Sequence, residues 1–230
     1  GPANTGTLAL KLPGTSDYTT NTLKRELADP VNFGVFPAEY SAGGATRFPV
    51  VKRIIEKNIR WTEFNPQRDL STFKDTNGKP LDAKTIELFD KNFMDMVVQI
   101  GNKEVHFVLL HTVPSHDFDN AGSPNSARNA DQLAFLEWYL TGETNVKVPA
   151  NLKIKPLKPT DLFVAMGDWN VDARKVEISG AQVLQSLFKK TKLWMDYSKM
   201  QFTYESQPFY LPSFNEQLDY IVTSNSNEIR

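Results

Sequence analysis

The chain has 230 residues, 40% of them hydrophobic and 23% charged, with a formal net charge of -1. These values suit one large mixed domain or two small ones with a substantial core, and they exclude wholesale disorder. Near-neutral charge excludes a general polyanion binder, and the absence of cysteine excludes disulfide frameworks, thiol nucleophiles and Cys-ligated zinc.

Residues 1–34 are rich in Gly, Thr, Asn, Pro and Asp and read as loop, with a helical stretch at 22–28 stopped by Pro30. Gly43-Gly44, then Phe48-Pro49-Val50-Val51 and Ile54-Ile55, predict two short strands around a tight bend. Residues 61–91 read as a long polar insertion, with a turn at Asp75-Thr76-Asn77-Gly78 and a short helix over 81–90. Alternation over 93–100, a turn at Gly101-Asn102-Lys103 and an apolar run over 105–110 predict a hairpin.

A polar loop over 112–123 follows. Pro124-Asn125-Ser126 then opens a helix carrying Leu133, Leu136, Trp138 and Leu140, and Gly142 ends it. Residues 143–160 form a Lys- and Pro-rich connection whose Lys147, Lys153, Lys155 and Lys158 are candidates to track a nucleic-acid backbone. The apolar run 162–166 reads as a buried strand, 180–190 as a helix and 218–223 as the last clear strand. No apolar stretch approaches the roughly 20 residues of a membrane helix.

Polar residues at three strand ends carry the chemistry. The strand at 162–166 closes in Gly167-Asp168-Trp169-Asn170. Asp168 can accept a proton or bind a cation, and Asn170 can donate its amide N–H to an oxyanion. The Asp-x-Asn spacing puts both side chains on one side of an extended backbone; a capping Asx-turn is the structural alternative. The run 105–110 ends in His111-Thr112-Val113-Pro114-Ser115-His116-Asp117, where His111 can donate a proton to phosphate or fix one of its oxygens. In Gln217-Leu218-Asp219-Tyr220-Ile221-Val222, a carboxylate within an apolar strand demands a partner, such as a His that it orients.

These motifs in this order resemble the endonuclease/exonuclease/phosphatase family, the deoxyribonuclease I-like enzymes. The resemblance covers residues 33–224. Thr46-Arg47-Phe48-Pro49-Val50 is similar to the family's Ser-Arg-aromatic-Pro-Ile segment, and Leu109-Leu110-His111-Thr112-Val113-Pro114-Ser115 to its strand-end His segment. Met166-Gly167-Asp168-Trp169-Asn170 is similar to the Gly-Asp-aromatic-Asn signature, and Leu218-Asp219-Tyr220-Ile221 to the Asp-Tyr-Ile strand.

The resemblance implies one α/β domain, a four-layer α/β/β/α sandwich of two mixed sheets flanked by helices. It implies a divalent-metal-dependent phosphoesterase, a phosphodiesterase or nuclease, in which Asp168 orients or deprotonates water and Asn170 holds a non-bridging phosphate oxygen. His111 would contact the scissile phosphate and protonate the leaving oxygen, and Asp219 would pair with a catalytic His. Arg128 is a candidate phosphate contact, Glu39 a candidate partner of His111 and Asp168 a candidate metal ligand. The expected cofactor is Mg²⁺ or Mn²⁺, with Ca²⁺ as the further option, and the expected partner is a phosphate ester such as a nucleic acid. Secreted or periplasmic bacterial members are the ones most resembled.

The departures define the alternatives. The family's early Asn and Gln-Glu strands, which supply the principal Glu metal ligand, and its terminal Ser-Asp-His strand have no counterpart here. The chain is therefore expected to be the middle and late part of such a domain. A phosphomonoesterase or lipid phosphodiesterase on the same fold remains an alternative, as does a non-catalytic binding module or fragment.

Overall fold

The computed structural model describes residues 31–32, 40–75, 77–118, 120–194, 204–205 and 215–225. The helix expected at 22–28 and the proposed role of Glu39 lie outside them. The described elements, in chain order, are β1 (Val50–Glu56), α1 (Trp61–Phe64), β2 (Phe93–Ile100), β3 (Lys103–Leu110), α2 (Asn125–Thr141), β4 (Leu162–Asp168), α3 (Ser179–Lys190), β5 (Lys192–Leu193), β6 (Tyr204–Glu205), β7 (Asn215–Glu216) and β8 (Asp219–Thr223).

Six strands form one mixed sheet in the order β1-β2-β3-β4-β8-β5, and β6 pairs with β7 separately. The β2–β3 hairpin forms as expected, with Phe93 opposite Leu110 and Ile100 opposite Lys103. Gly101 turns it at φ +61°, a conformation glycine adopts without steric cost. β3 and β4 run parallel, so α2 and the 143–160 connection make the crossover between them. β8 returns antiparallel to β4 and sets Asp219 opposite Asp168. The α/β class and the mixed sheet agree with the sequence. One helical layer and the six-stranded sheet are the layers the described residues fill.

Alternation sorts the sheet into two faces. Phe93, Val97, Val108, Leu110, Phe163, Ala165, Tyr220 and Val222 are buried beneath the helices. Phe135 of α2 stands at the centre of this core. Its ring meets Phe64 at 5.3 Å, Phe89 at 5.1 Å and Phe93 at 5.1 Å, each edge to face. On the other face Gly44 lies against Met96, Leu109 and Met94, so part of the 40–49 segment crosses that side.

Three sequence expectations change here. The segment that follows Gly43-Gly44 makes one strand, β1 (Val50–Glu56), with a bulge between Val50 and Lys52, instead of two strands around a bend. Residues 81–90 are not helical; Ile86, Leu88 and Phe89 are instead buried in an extended run bridged to Arg60. Nor is 61–91 a polar insertion, because Trp61, Phe64, Leu88 and Phe89 bury fully in the main core. The turn at 75–78 forms as read, with the Asp75 carboxylate accepting the Asn77 and Lys79 amides at 2.8 and 2.9 Å.

Helix α2 is buried almost all round, including Arg128, Asn129, Asp131, Gln132 and Glu137. Each of these side chains makes hydrogen bonds, although Asn129 Oδ1 has no partner among the described residues. Asp131, for example, accepts from the Trp61 indole at 2.6 Å and from Arg68 at 2.8 and 2.9 Å.

Candidate active site

The C-terminal ends of β3 and β4 lie side by side, and Gly167 allows the approach. A Cβ on Gly167, which sits at φ +155°, would fall 1.9 Å from the Leu110 carbonyl oxygen. Only glycine lets β4 pass this close, which brings Asp168 level with His111. Beyond the strands the pairing continues irregularly. The Thr112 amide donates to the Asp168 carbonyl at 3.1 Å, and the Ser115 amide to the Asn170 carbonyl at 3.1 Å.

Asp168 and Asn170 form the Asx-turn that the sequence left open. The Asn170 amide donates to Asp168 Oδ1 at 2.9 Å, and Asn170 itself is left-handed at φ +51°. The backbone is thus not extended across the motif, yet both side chains stay at the His111 strand end. Asn170 Nδ2 donates to the Thr112 carbonyl at 2.9 Å, and the second hydrogen of that amide is a donor for a further oxygen. Trp169 is buried between the sheet and helices and stacks on Tyr220 at 5.4 Å.

His111 Nε2 lies 3.6 Å from Asp168 Oδ2. Its Nδ1 lies 3.0 Å from the Tyr40 carbonyl, which can only accept, so the proton sits on Nδ1. Burial first, then the charge of Lys91, pushes the imidazole pKa down to about 4, against smaller opposing effects of Asp90 and the Tyr40 bond. At neutral pH the ring is uncharged and turns an Nε2 lone pair toward Asp168. The close pair is therefore not an ion pair. Burial also raises the Asp168 carboxyl above its ordinary value; the Asn170 N–H and Lys91 oppose this and the Asp219 charge adds to it. A carboxylate of raised basicity suits taking a proton from water, and the Nε2 lone pair of the neutral imidazole can accept a hydrogen bond from that water. With one proton on Nδ1, the donor role expected of His111 would require a second proton on Nε2. The Tyr40 main chain is thus the described partner of His111 Nδ1.

Lys91 is a residue of the candidate site that the motifs missed. It is 5% exposed, and its Nζ contacts Asp90 Oδ2 at 2.5 Å and the Thr112 carbonyl at 3.2 Å. Burial pushes the Asp90 carboxyl up, but the charges of Lys91 and Arg128 and hydrogen bonds from Lys91 and Gln132 outweigh it and hold the group ionised. Extending the hairpin register by two residues sets Lys91 opposite Thr112, so the signal was present in the hairpin itself.

Helix α2 fastens both loops from below. Asn129 Nδ2 donates to Thr112 Oγ1 at 3.0 Å, the Val113 carbonyl at 2.8 Å and the Trp169 carbonyl at 3.1 Å. Gln132 accepts from the Val113 amide at 2.8 Å and donates to Asp90 at 3.0 Å. Arg128, expected as a phosphate contact, is instead enclosed. Its guanidinium donates to the Leu88, Val31 and Glu87 carbonyls and to Asn32 Oδ1 at 3.1, 3.3, 2.7 and 2.7 Å. It pins the segment before Lys91 and presents no face to a ligand.

Asp219 is exposed and in register with Asp168 across β4–β8. Among the described residues no group of three or more His, Asp or Glu side chains converges as a metal cage. Two facing carboxylates with mutual repulsion fit a hydrated hard cation, which is held through one or two carboxylates and completed by water and substrate oxygens. Lys147, Lys153, Lys155 and Lys158 are exposed but belong to the connection that enters β4 at Leu162, the strand end opposite Asp168. Leu162 itself lies about 20 Å from Asp168 along the strand.

No protein-family model and no curated protein matches the sequence. Similar solved structures include a beta toxin from Staphylococcus aureus (17% identity, TM-score 0.43, covering 78% of this chain and 52% of that one). They also include sphingomyelinase C from Streptomyces griseocarneus (20%, TM-score 0.37, 59% and 43%) and an endonuclease/exonuclease/phosphatase family protein from Leptotrichia buccalis (11%, TM-score 0.37, 78% and 50%). The chain spans about half the length of these proteins or less. With TM-scores below 0.5, none of them assigns a residue or an activity to this chain. Among the described residues no helix is long and apolar enough to cross a membrane.

Proposed function

We propose that the chain carries the active site of a divalent-metal-dependent phosphoesterase that cleaves phosphodiesters, with nucleic acid the first substrate class to examine. The observation that carries the reading is His111 Nε2 at 3.6 Å from Asp168 Oδ2, beside an Asn170 amide held to the Thr112 carbonyl. Asp168 takes the proton of the attacking water, which also donates a hydrogen bond to His111 Nε2. The free N–H of Asn170 holds a non-bridging oxygen as charge builds on it. Lys91 supplies a fixed positive charge beneath the same point. Asp168 and Asp219 are the carboxylates that would hold Mg²⁺ or Mn²⁺, and the bound ion supplies polarisation of the phosphoryl oxygen.

The test is hydrolysis of a para-nitrophenyl phosphodiester and of the corresponding monoester, before and after chelation. The reading expects diester cleavage that chelation abolishes and Mg²⁺ restores. Cleavage of the monoester alone transfers the reading to a phosphomonoesterase. The lack of a converging three-ligand group among the described residues favours a second reading, a non-catalytic binding module. Cleavage of neither ester at saturating Mg²⁺ selects it.

A further inference from the structure

Hydrolysis of a phosphodiester by water moves two protons, one away from water and one onto the leaving oxygen. His111 and Asp168 suit the first. A pair that takes the first proton does not at the same moment supply the second, and the Nδ1–H of His111 is held by the Tyr40 carbonyl.

A second histidine–carboxylate pair stands at the same strand end. His116 Nε2 lies 3.8 Å from Glu216 Oε1. His116 follows β3 and Glu216 precedes β8, and in the sheet these strands flank β4. A contact between them passes over the C-terminal end of β4, which is the Asp168-Trp169-Asn170 turn. Bonds donated by main-chain amides fix this crossing. The Ser115 amide donates to the Asn170 carbonyl at 3.1 Å, the Trp169 amide to the Leu218 carbonyl at 2.8 Å, and the Gln217 amide to the Asp172 carboxylate at 3.1 Å.

The two partners differ in exposure in the way a positioned acid requires. The Glu216 side chain is 7% exposed and is also ion-paired to Lys175, whereas the His116 side chain is 47% exposed. Asn125 Nδ2 donates to the His116 carbonyl at 3.1 Å, and Phe118 packs near the ring at 6.4 Å, so loop and imidazole are both braced. A buried carboxylate thus stands beside a half-exposed imidazole, at an ion-pair separation longer than a hydrogen bond, on the loop whose Ser115 amide meets the Asn170 carbonyl.

We propose that His116, positioned by Glu216, is the catalytic acid that protonates the leaving oxygen; the assignment rests on the phosphodiesterase reading above. In the step, the water oxygen forms a bond to phosphorus while the bond from phosphorus to the leaving oxygen breaks. The proton lost by water goes to the Asp168 carboxylate. The leaving oxygen keeps the electron pair of the broken bond and takes a proton from the His116 imidazolium, which solvent then recharges.

Leaving-group dependence separates this role from a structural one. A para-nitrophenyl diester of thymidine expels a phenolate that needs no proton, whereas a dinucleotide expels an alkoxide that does. With the full chain in Mg²⁺, His116→Ala is expected to lower the dinucleotide rate relative to the nitrophenyl rate by about 100-fold. Glu216→Gln, which keeps side-chain shape, is expected to shift the same ratio in the same direction by a smaller factor. An equal loss on both substrates in both variants, or no loss on either, overturns the assignment while leaving the phosphodiesterase reading intact. A wild-type chain that cleaves neither substrate overturns both.

Discussion

At the scale of single residues, the protonation state of His111 decides what the site can do. Burial and the neighbouring Lys91 charge hold its pKa near 4, below the ordinary 6.5. As pH falls through 6.5 the unfolded chain takes up a proton that the folded chain refuses until about 4. The contribution of His111 to stability is therefore fully present above 6.5 and declines between 6.5 and 4. The measurement is an NMR titration of the imidazole, expected to have its midpoint near 4; a midpoint at 6 or above would contradict the burial described here. Asp168 and His111 were legible as single residues because each closes an apolar run. Their shared chemistry was not, since sequence gave no hint that a main-chain carbonyl from Tyr40 would fix the tautomer.

At the scale of elements, the end of β4 and the first turns of α2 hold the site together. Gly167→Ala places a methyl group on the Leu110 carbonyl. It is expected to cost on the order of 2–3 kcal/mol and to separate Asp168 from His111, measurable as a lowered denaturant midpoint together with lost activity. Wild-type stability in that variant would mean that β3 and β4 do not approach as described. Asn129→Ala strands the Thr112 hydroxyl and the Val113 and Trp169 carbonyls at once. A loss on the order of 2–3 kcal/mol is expected in the same measurement.

Neither effect was visible in the sequence beforehand. The helix over 125–141 was found from Leu133, Leu136, Trp138 and Leu140, but its buried Arg128, Asn129, Asp131 and Gln132 break the apolar-polar alternation on which such readings rest. The same burial turned Arg128 from a candidate ligand contact into an internal brace. The helix expected over 81–90 failed for a related reason. Ile86, Leu88 and Phe89 are apolar because they fill the core as an extended run, and short apolar segments do not reveal their period.

At the scale of the whole molecule, one sheet edge gathers residues more than 100 positions apart: His111 after β3, Asp168 and Asn170 after β4, Asp219 on β8 and Lys91 before β2. The order of motifs along the chain was legible because each sits at a strand terminus. Their convergence depended on the crossover between parallel β3 and β4, which pattern alone does not specify. The central claim is that this edge is a metal-dependent phosphodiesterase site with Asp168 at its centre. The most direct measurement is Mg²⁺-dependent phosphodiester hydrolysis by Asp168→Ala beside the wild-type chain, with circular dichroism to confirm that both are folded. The account predicts a folded variant whose turnover falls by at least about 100-fold. Turnover equal to that of the wild type would contradict it.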